Sequence, residues 1–339
     1  MTEVNMKNIA AAIVLGVACQ GHVFAQDAIQ VYGSIDGGFR RLSNVDAAGN
    51  SKLTMNSTGT YNSNRLGFRG IEDLGGGLKA RFTLETGFFG GSGAQAADQY
   101  WNRESTVGLS GPWGAIDAGR QFSVSARTVA GYDPFRFKYL SIVPLSRAII
   151  GSSQTRFDND VQYTGTFGPI TVRAERMFGE AAGSAATNSA TGLGGTYAQG
   201  PISVGGAYTK WNDGGGAGFD RTQATLGGTY TIGATRVALG IIDDKVQTAT
   251  VDKVAKNTWL GASYDVSSAL ALTGAFYKTK GSTSGVPNEK KLLMAGGTYA
   301  LSKRSNLYFE VDRTRFSGGA IVNGQTNQTG VSAGLNHAF

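Results

Sequence analysis

The last nine residues of the chain constrain its fold more than any other feature. Val331, Ala333, Leu335, His337 and the terminal Phe339 alternate with Ser332, Gly334, Asn336 and Ala338. A period of two is the mark of a strand with two unlike faces. The same alternation recurs far upstream. Leu78, Ala80, Phe82, Leu84, Thr86 and Phe88 share one face, and Lys79, Arg81, Thr83, Glu85 and Gly87 share the other. The charged face must be wet. The apolar face runs for about eleven residues, the length a tilted strand needs to cross a bilayer.

Repetition turns this pattern into an architecture. Phe157, Val161 and Tyr163 alternate with polar neighbours, as do Ile170, Val172 and Ala174, then Ala224, Leu226 and Tyr230, then Leu307, Phe309 and Val311. Glycine supplies 51 of the 339 residues, which disfavours long helices. No apolar run long enough for a membrane helix follows the N-terminus. Every second residue facing lipid suffices for a barrel, so a mean hydropathy of −0.14 is compatible with one.

Short Gly, Pro, Asp or Ser turns are expected near 72–77, 111–114, 166–169, 199–201, 233–234, 265–269 and 301–305. Longer polar stretches fall near 42–60, 90–101, 123–155, 179–191, 212–220, 246–256, 280–290 and 317–326. Short turns and long loops alternate, as they do at the two rims of an outer-membrane barrel. Together these connections join sixteen antiparallel strands in an all-β transmembrane barrel. Even numbering lets the first strand pair with the last, so that no unpaired edge faces lipid.

The N-terminus is expected to be a cleaved signal peptide spanning 1–25. Lys7 gives the positive end, Ile9 to Ala18 the apolar core and Val23-Phe24-Ala25 the small-residue cleavage site. The acidic Thr2-Glu3-Val4-Asn5 stretch suits an n-region poorly, so translation is expected to start at Met6 rather than Met1. The barrel then occupies 26–339, about 20 residues for each of sixteen strands, which fits crossings of 9–11 residues plus connections.

Several segments carry a family resemblance. Arg65-Leu66-Gly67-Phe68-Arg69-Gly70, Glu72-Asp73-Leu74-Gly75-Gly76-Gly77-Leu78-Lys79-Ala80, Gly108-Leu109-Ser110-Gly111 with Gly119-Arg120-Gln121, and the ending Asn336-His337-Ala338-Phe339 resemble the general porins of Gram-negative beta-proteobacteria. The resemblance implies an outer-membrane barrel, usually a homotrimer, with its third long loop folded into the lumen. It also implies that Phe339 serves as the membrane-insertion signal. Asn336 stands where the family often has Arg, and Ala338 where a larger residue is common.

The long loop 123–155 is the expected functional segment, because structureless loops of such length are usually functional. From Phe122 to Arg156 it carries Arg127, Arg136, Lys138, Arg147 and Arg156 against Asp133 alone, +4 of the chain's formal +7. Arg40, Arg65, Arg69, Arg81, Arg103 and Arg120 are candidates for the wall. The expected constriction and selectivity set is Arg65, Arg81, Arg103, Arg120, Asp133, Arg136, Lys138 and Arg156. Arginines lining a narrow aqueous passage concentrate anions and repel cations, so a water-filled channel passing small anionic or neutral solutes is expected. Simple alternation aims Arg103 and Arg120 at lipid; a bulge at Gly119 would turn Arg120 inward.

Other chemistry is not expected. Beyond residue 25 the chain has His337 as its one histidine and no cysteine, so neither a catalytic triad nor a Cys–His pair can be assembled there, and zinc loses its usual ligands. No metal, cofactor or enzymatic activity is expected. No basic run is interleaved with aromatics, which argues against nucleic acid as a partner. Outer-membrane lipid and lipopolysaccharide are the expected surroundings, in a Gram-negative bacterium. Two other readings remain open at this point: a substrate-specific channel for dicarboxylates, phosphate or sugars, and a soluble β-sandwich adhesin.

Overall fold

The computed structural model describes residues 29–55, 60–144, 155–212, 220–247, 251–283 and 285–339. The expected signal peptide and Arg147 lie outside the described residues. In chain order the strands are β1 (Gln30–Leu42), β2 (Lys52–Met55), β3 (Arg65–Gly75), β4 (Leu78–Gly87), β5 (Glu104–Gly111) and β6 (Gly114–Phe122). A helix α1 (Val124–Ala130) precedes β7 (Arg156–Phe167), β8 (Ile170–Met177), β9 (Ser189–Gln199), β10 (Ile202–Asn212), β11 (Arg221–Ile232) and β12 (Thr235–Val246). The remainder are β13 (Lys253–Asp265), β14 (Leu270–Thr283), β15 (Val286–Ala300), β16 (Ser305–Gly318) and β17 (Asn327–Ala338).

From β3 to β17 each strand pairs antiparallel with its chain neighbours in one sheet, and β1 pairs with β2, β3 and β17, so the sheet closes. Seventeen segments make sixteen staves. The upper part of β1 pairs with β2 through Phe39↔Met55, and its lower part with β3 through Ser34↔Arg65. Thus β2 and β3 are two pieces of one stave. Closure is sealed at the chain end: Gly33 and Phe339 exchange backbone hydrogen bonds of 3.1 and 3.2 Å. A single closed sheet removes the open sandwich from consideration.

The two faces are inverted relative to a soluble protein. Leu226, Leu239, Leu260, Leu293, Phe309 and Val331 stand on the outer face and are exposed. On the inner face Asp36, Glu85, Gln162, Glu175, Asp244, Glu310 and Asp312 are buried among polar partners. An apolar exterior of this extent belongs against lipid, and a polar interior belongs against water.

The structure differs from the sequence expectation in its connections. The stretch 280–290, expected to be a long loop, is a tight hairpin in which β14 and β15 stay paired out to Thr283↔Val286. The loop after β6 opens with a helix. The Ser123 hydroxyl caps it by accepting from the Ala126 amide at 3.2 Å, and the Thr128 hydroxyl donates to the Val124 carbonyl. The bulge that the sequence allowed at Gly119 is present: β6 and β7 slip register between Gly119 and Gln121, where Gly119 adopts a φ of 129°. Only glycine takes that backbone easily, and the bulge resets the alternation of the following residues.

Candidate functional site

Helix α1 and the residues after it are held by side chains of the strands. Val124 donates its amide to Glu175 at 2.8 Å, and the Ser125 and Thr209 hydroxyls meet at 2.8 Å. Trp259 donates from its indole to the Tyr132 carbonyl at 3.0 Å and stacks on the Tyr132 ring. Arg236 donates to the carbonyls of Gly131 and Asp133. The strand positions under this loop are small for a reason. A methyl at Gly227 would strike the Tyr132 ring, and one at Gly261 would strike Pro134.

Asp133 organises the next turn. It is fully buried and accepts from the Tyr277 hydroxyl and from the Phe137 amide, each at 2.7 Å. Arg136, Phe137 and Tyr139 then adopt φ values of 54°, 62° and 54°, a left-handed run costly for side-chain-bearing residues. The carboxylate bond to Phe137 holds that run in place. Burial pushes the Asp133 carboxyl up to about 6 against those hydrogen bonds. Its position turns its charge into a bracket for the loop, screened from the interior by Tyr277 and the loop backbone.

The turn presents Arg136 exposed, with Lys138 half-buried above the Tyr61 ring at 5.3 Å. Burial, with Arg65 nearby, pushes the Lys138 ammonium down to about 8. Tyr139 packs edge-on against Tyr61 and Phe135. Among the described residues, no carboxylate lies within ion-pair distance of Arg136 or Lys138.

The wall arginines are placed differently: most have an acid beside them. Glu85 on β4 accepts from Arg103 at 2.6 Å and faces Arg65 at 3.6 Å. Arg127 of α1 faces Glu104 at 3.6 Å. Arg120 reaches Asp158 at 2.5 Å and the Asn102 carbonyl at 2.8 Å, and Arg81 brackets Asp117. Arg156 is the exception. Its guanidinium lies 3.8 Å from the centre of the Phe122 ring, its Nε has no hydrogen-bond partner, and no carboxylate among the described residues pairs with it. Arg65, Arg103, Arg120, Arg127 and Arg156 thus share one side of the interior with Glu85 and Glu104. Arg136 and Lys138 project from the loop, and Asp133 stays behind it.

Sequence reasoning passed over the acids. Glu85 was visible on the wet face of β4, but nothing in its spacing tells that it would take two arginines. On the neighbouring β1, Asp36 accepts from the Tyr308 hydroxyl at 2.7 Å and from the Asn62 amide at 2.8 Å. Arg40 bonds Glu310 at 3.0 Å and Asp312 at 2.6 Å. Such pairs join strands far apart in the chain, so a linear reading sees the charges and not the partnerships.

Comparison with known proteins agrees with this architecture. The sequence model of the family described as Gram-negative porin matches residues 10–319. The chain is 30% identical to outer membrane porin protein 32 of Delftia acidovorans, over 98% of this chain and 99% of that protein. It is 28% identical to an outer membrane porin protein of Bordetella pertussis, over 88% and 91% of the two chains. Among solved structures, an anion-selective porin from Comamonas acidovorans superposes with a TM-score of 0.80 at 26% identity, covering 93% of this chain and all of that one. The closed sixteen-stave barrel, its inverted faces and these matches agree: the chain belongs to the Gram-negative porin family, the channel-forming proteins of the outer membrane.

Proposed function

We propose that this porin is an anion-preferring, otherwise general diffusion channel whose third loop, 123–155, folds inward to form its constriction. One observation carries the reading: Arg136 is exposed on the loop and Lys138 stands beside it, with no carboxylate against either among the described residues. Arg156, which no carboxylate among the described residues meets at ion-pair distance, adds a third cation. Unpaired charge projects a field into water, whereas an ion pair projects only the weaker field of a dipole. The inward placement of the loop is supported by its bonds to Thr209, Thr225, Trp259 and Tyr277, all on the polar faces of their strands. A structural relative described as anion-selective supports the sign.

In this reading Arg65, Arg81, Arg103 and Arg120 shape the wall, Asp133 holds the loop, and Arg136, Lys138 and Arg156 set the preference. Residues 1–25 act as a cleaved export signal, and Phe339 as the insertion signal. The barrel works as a homotrimer surrounded by lipid and lipopolysaccharide; the exposed Tyr100, packed edge-on against Trp101 before β5, is the kind of surface a neighbouring subunit covers. Reversal potentials across a planar bilayer with a salt gradient test the sign, and cation preference refutes the reading.

A substrate-specific channel has one observation in its favour. A cleft of about 270 Å³ beside the loop is lined by Tyr61, Arg136, Lys138, Ser263, Asp265 and Thr273, two cations against one carboxylate, a size and charge balance that would admit a small anion. Liposome swelling with a panel of solutes separates the two readings: saturable uptake of one solute supports the specific channel, dependence on size alone the general one.

A further inference from the structure

One acid on the inner wall has no cation against it. Asp265 is the last residue of β13, at the short turn into β14, and it is exposed. It shares the inward parity of Asn257 and Trp259 on the same strand. Arg136 and Lys138 line the same cleft of about 270 Å³. Yet among the described residues no basic group lies within ion-pair distance of Asp265. Opposite charges that share one cleft without meeting are held apart by the backbones that carry them.

The registers fix that separation. Pro134 of the loop sits over Gly261, where an added methyl would strike it. Asp265 lies four residues further along β13, about 13 Å at the usual strand rise. Between the two, Ser263 pairs with Thr273 of β14, and Thr273 with Gly296 of β15. The floor of the cleft is therefore two hydroxyls beside a residue without a side chain. The cations enter from the loop side, Arg136 exposed and Lys138 leaning over the Tyr61 ring. Two positive charges stand at one end of the cleft and one negative charge at the other.

This pattern selects among solutes. Chloride or phosphate uses the cations and is repelled by Asp265, and a plain dicarboxylate meets the same repulsion. A neutral amino acid leaves one cation unanswered. A small molecule with two carboxylates and one ammonium answers all three charges. Exposed ion pairs are individually weak, so such a solute is held loosely, as passage through a channel requires.

We propose that the cleft is a transit site for small acidic amino acids, with the two carboxylates facing Arg136 and Lys138, the ammonium facing Asp265, and the Ser263 and Thr273 hydroxyls between them. The proposal rests on the reading of the chain as a water-filled channel with the loop cations free beside its path.

The test uses the full-length protein in a planar bilayer of neutral lipid at pH 7, with L-glutamate and glutarate as paired probes. Glutarate keeps both carboxylates and lacks the ammonium. The readout is the concentration of each that halves the KCl current of a single channel. L-glutamate is expected to act saturably at millimolar concentration, at least threefold below glutarate. Asp265→Asn is expected to reverse that order, because it removes the partner of the ammonium and the repulsion of glutarate together. Equal or stronger action of glutarate on the wild type overturns the proposal, and this comparison needs no variant. A glutamate preference that survives Asp265→Asn overturns it as well. Reversal potentials in KCl alone read the ion preference separately: cation preference with glutamate discrimination intact sinks the anion-preferring reading and not this one, and anion preference without discrimination sinks this one alone.

Discussion

Replacing Arg136 by Gln removes one exposed, uncompensated charge from the loop without touching the bonds that hold the loop. Its side chain has no ion-pair partner among the described residues, and its backbone turn is fixed by Asp133 and Tyr277. For an ion passing within about 5 Å, Coulomb's law in water gives about 0.8 kcal/mol per unit charge. Screening with a Debye length near 10 Å at 0.1 M salt leaves about 0.5 kcal/mol. That energy raises local anions about twofold and lowers cations about twofold, so the anion-to-cation permeability ratio carries a factor of about five from this residue alone. The assay is the zero-current potential of a planar bilayer under a KCl gradient centred near 0.1 M. Arg136→Gln is expected to lower the permeability ratio about fivefold with single-channel conductance largely kept, and Arg136→Lys to restore it. A ratio unchanged within measurement error refutes the placement of Arg136 beside the ion path.

Other perturbations follow from the same contacts. Glu85→Gln frees Arg65 and Arg103 and is expected to raise the anion-to-cation ratio several-fold in the same assay, opposite in sign to the Arg136 variant. Lys138 loses its charge as pH rises through about 8, so anion preference is expected to fall between about pH 7 and pH 9, a step that Lys138→Gln abolishes. Tyr277→Phe leaves one Asp133 oxygen without its donor. A buried unsatisfied acceptor costs about 1–3 kcal/mol, so trypsin is expected to cut at Arg136 or Lys138 roughly ten to a hundred times faster. Gly33→Val forces a side chain into the Phe339 ring and the Arg65 carbonyl at the closing seam, and is expected to lower the temperature at which the barrel loses its compact gel mobility.

The barrel was legible because its signal is local. Leu78 to Phe88 declares which residues face lipid within a single strand, and the terminal alternation does so again. The connections were less legible. Residues 280–290 are polar, as a loop would be, yet β14 and β15 remain paired there out to Thr283↔Val286. Polarity marks wetness and not loss of structure. The short helix was missed because seven residues are too few to establish a helical period. In the interior, the alternation objection to Arg120 was met by the Gly119 register slip, which glycine alone hinted at. Arg103 lies just outside β5, where alternation no longer governs its direction, and reaches Glu85.

Charge counting explains why the acids matter more than the arginines. A run of basic residues in a sequence suggests a strongly positive interior, but Glu85, Glu104, Asp117 and Asp158 answer Arg65, Arg103, Arg127, Arg81 and Arg120 nearly one for one. A water-filled interior crowded with unanswered arginines would repel itself and bind anions too firmly to release them, whereas conduction needs weak sites. Pairing removes both difficulties and fixes the wall in shape. On the proposed reading, selectivity is then left to the few cations that the pairing omits, Arg136, Lys138 and Arg156.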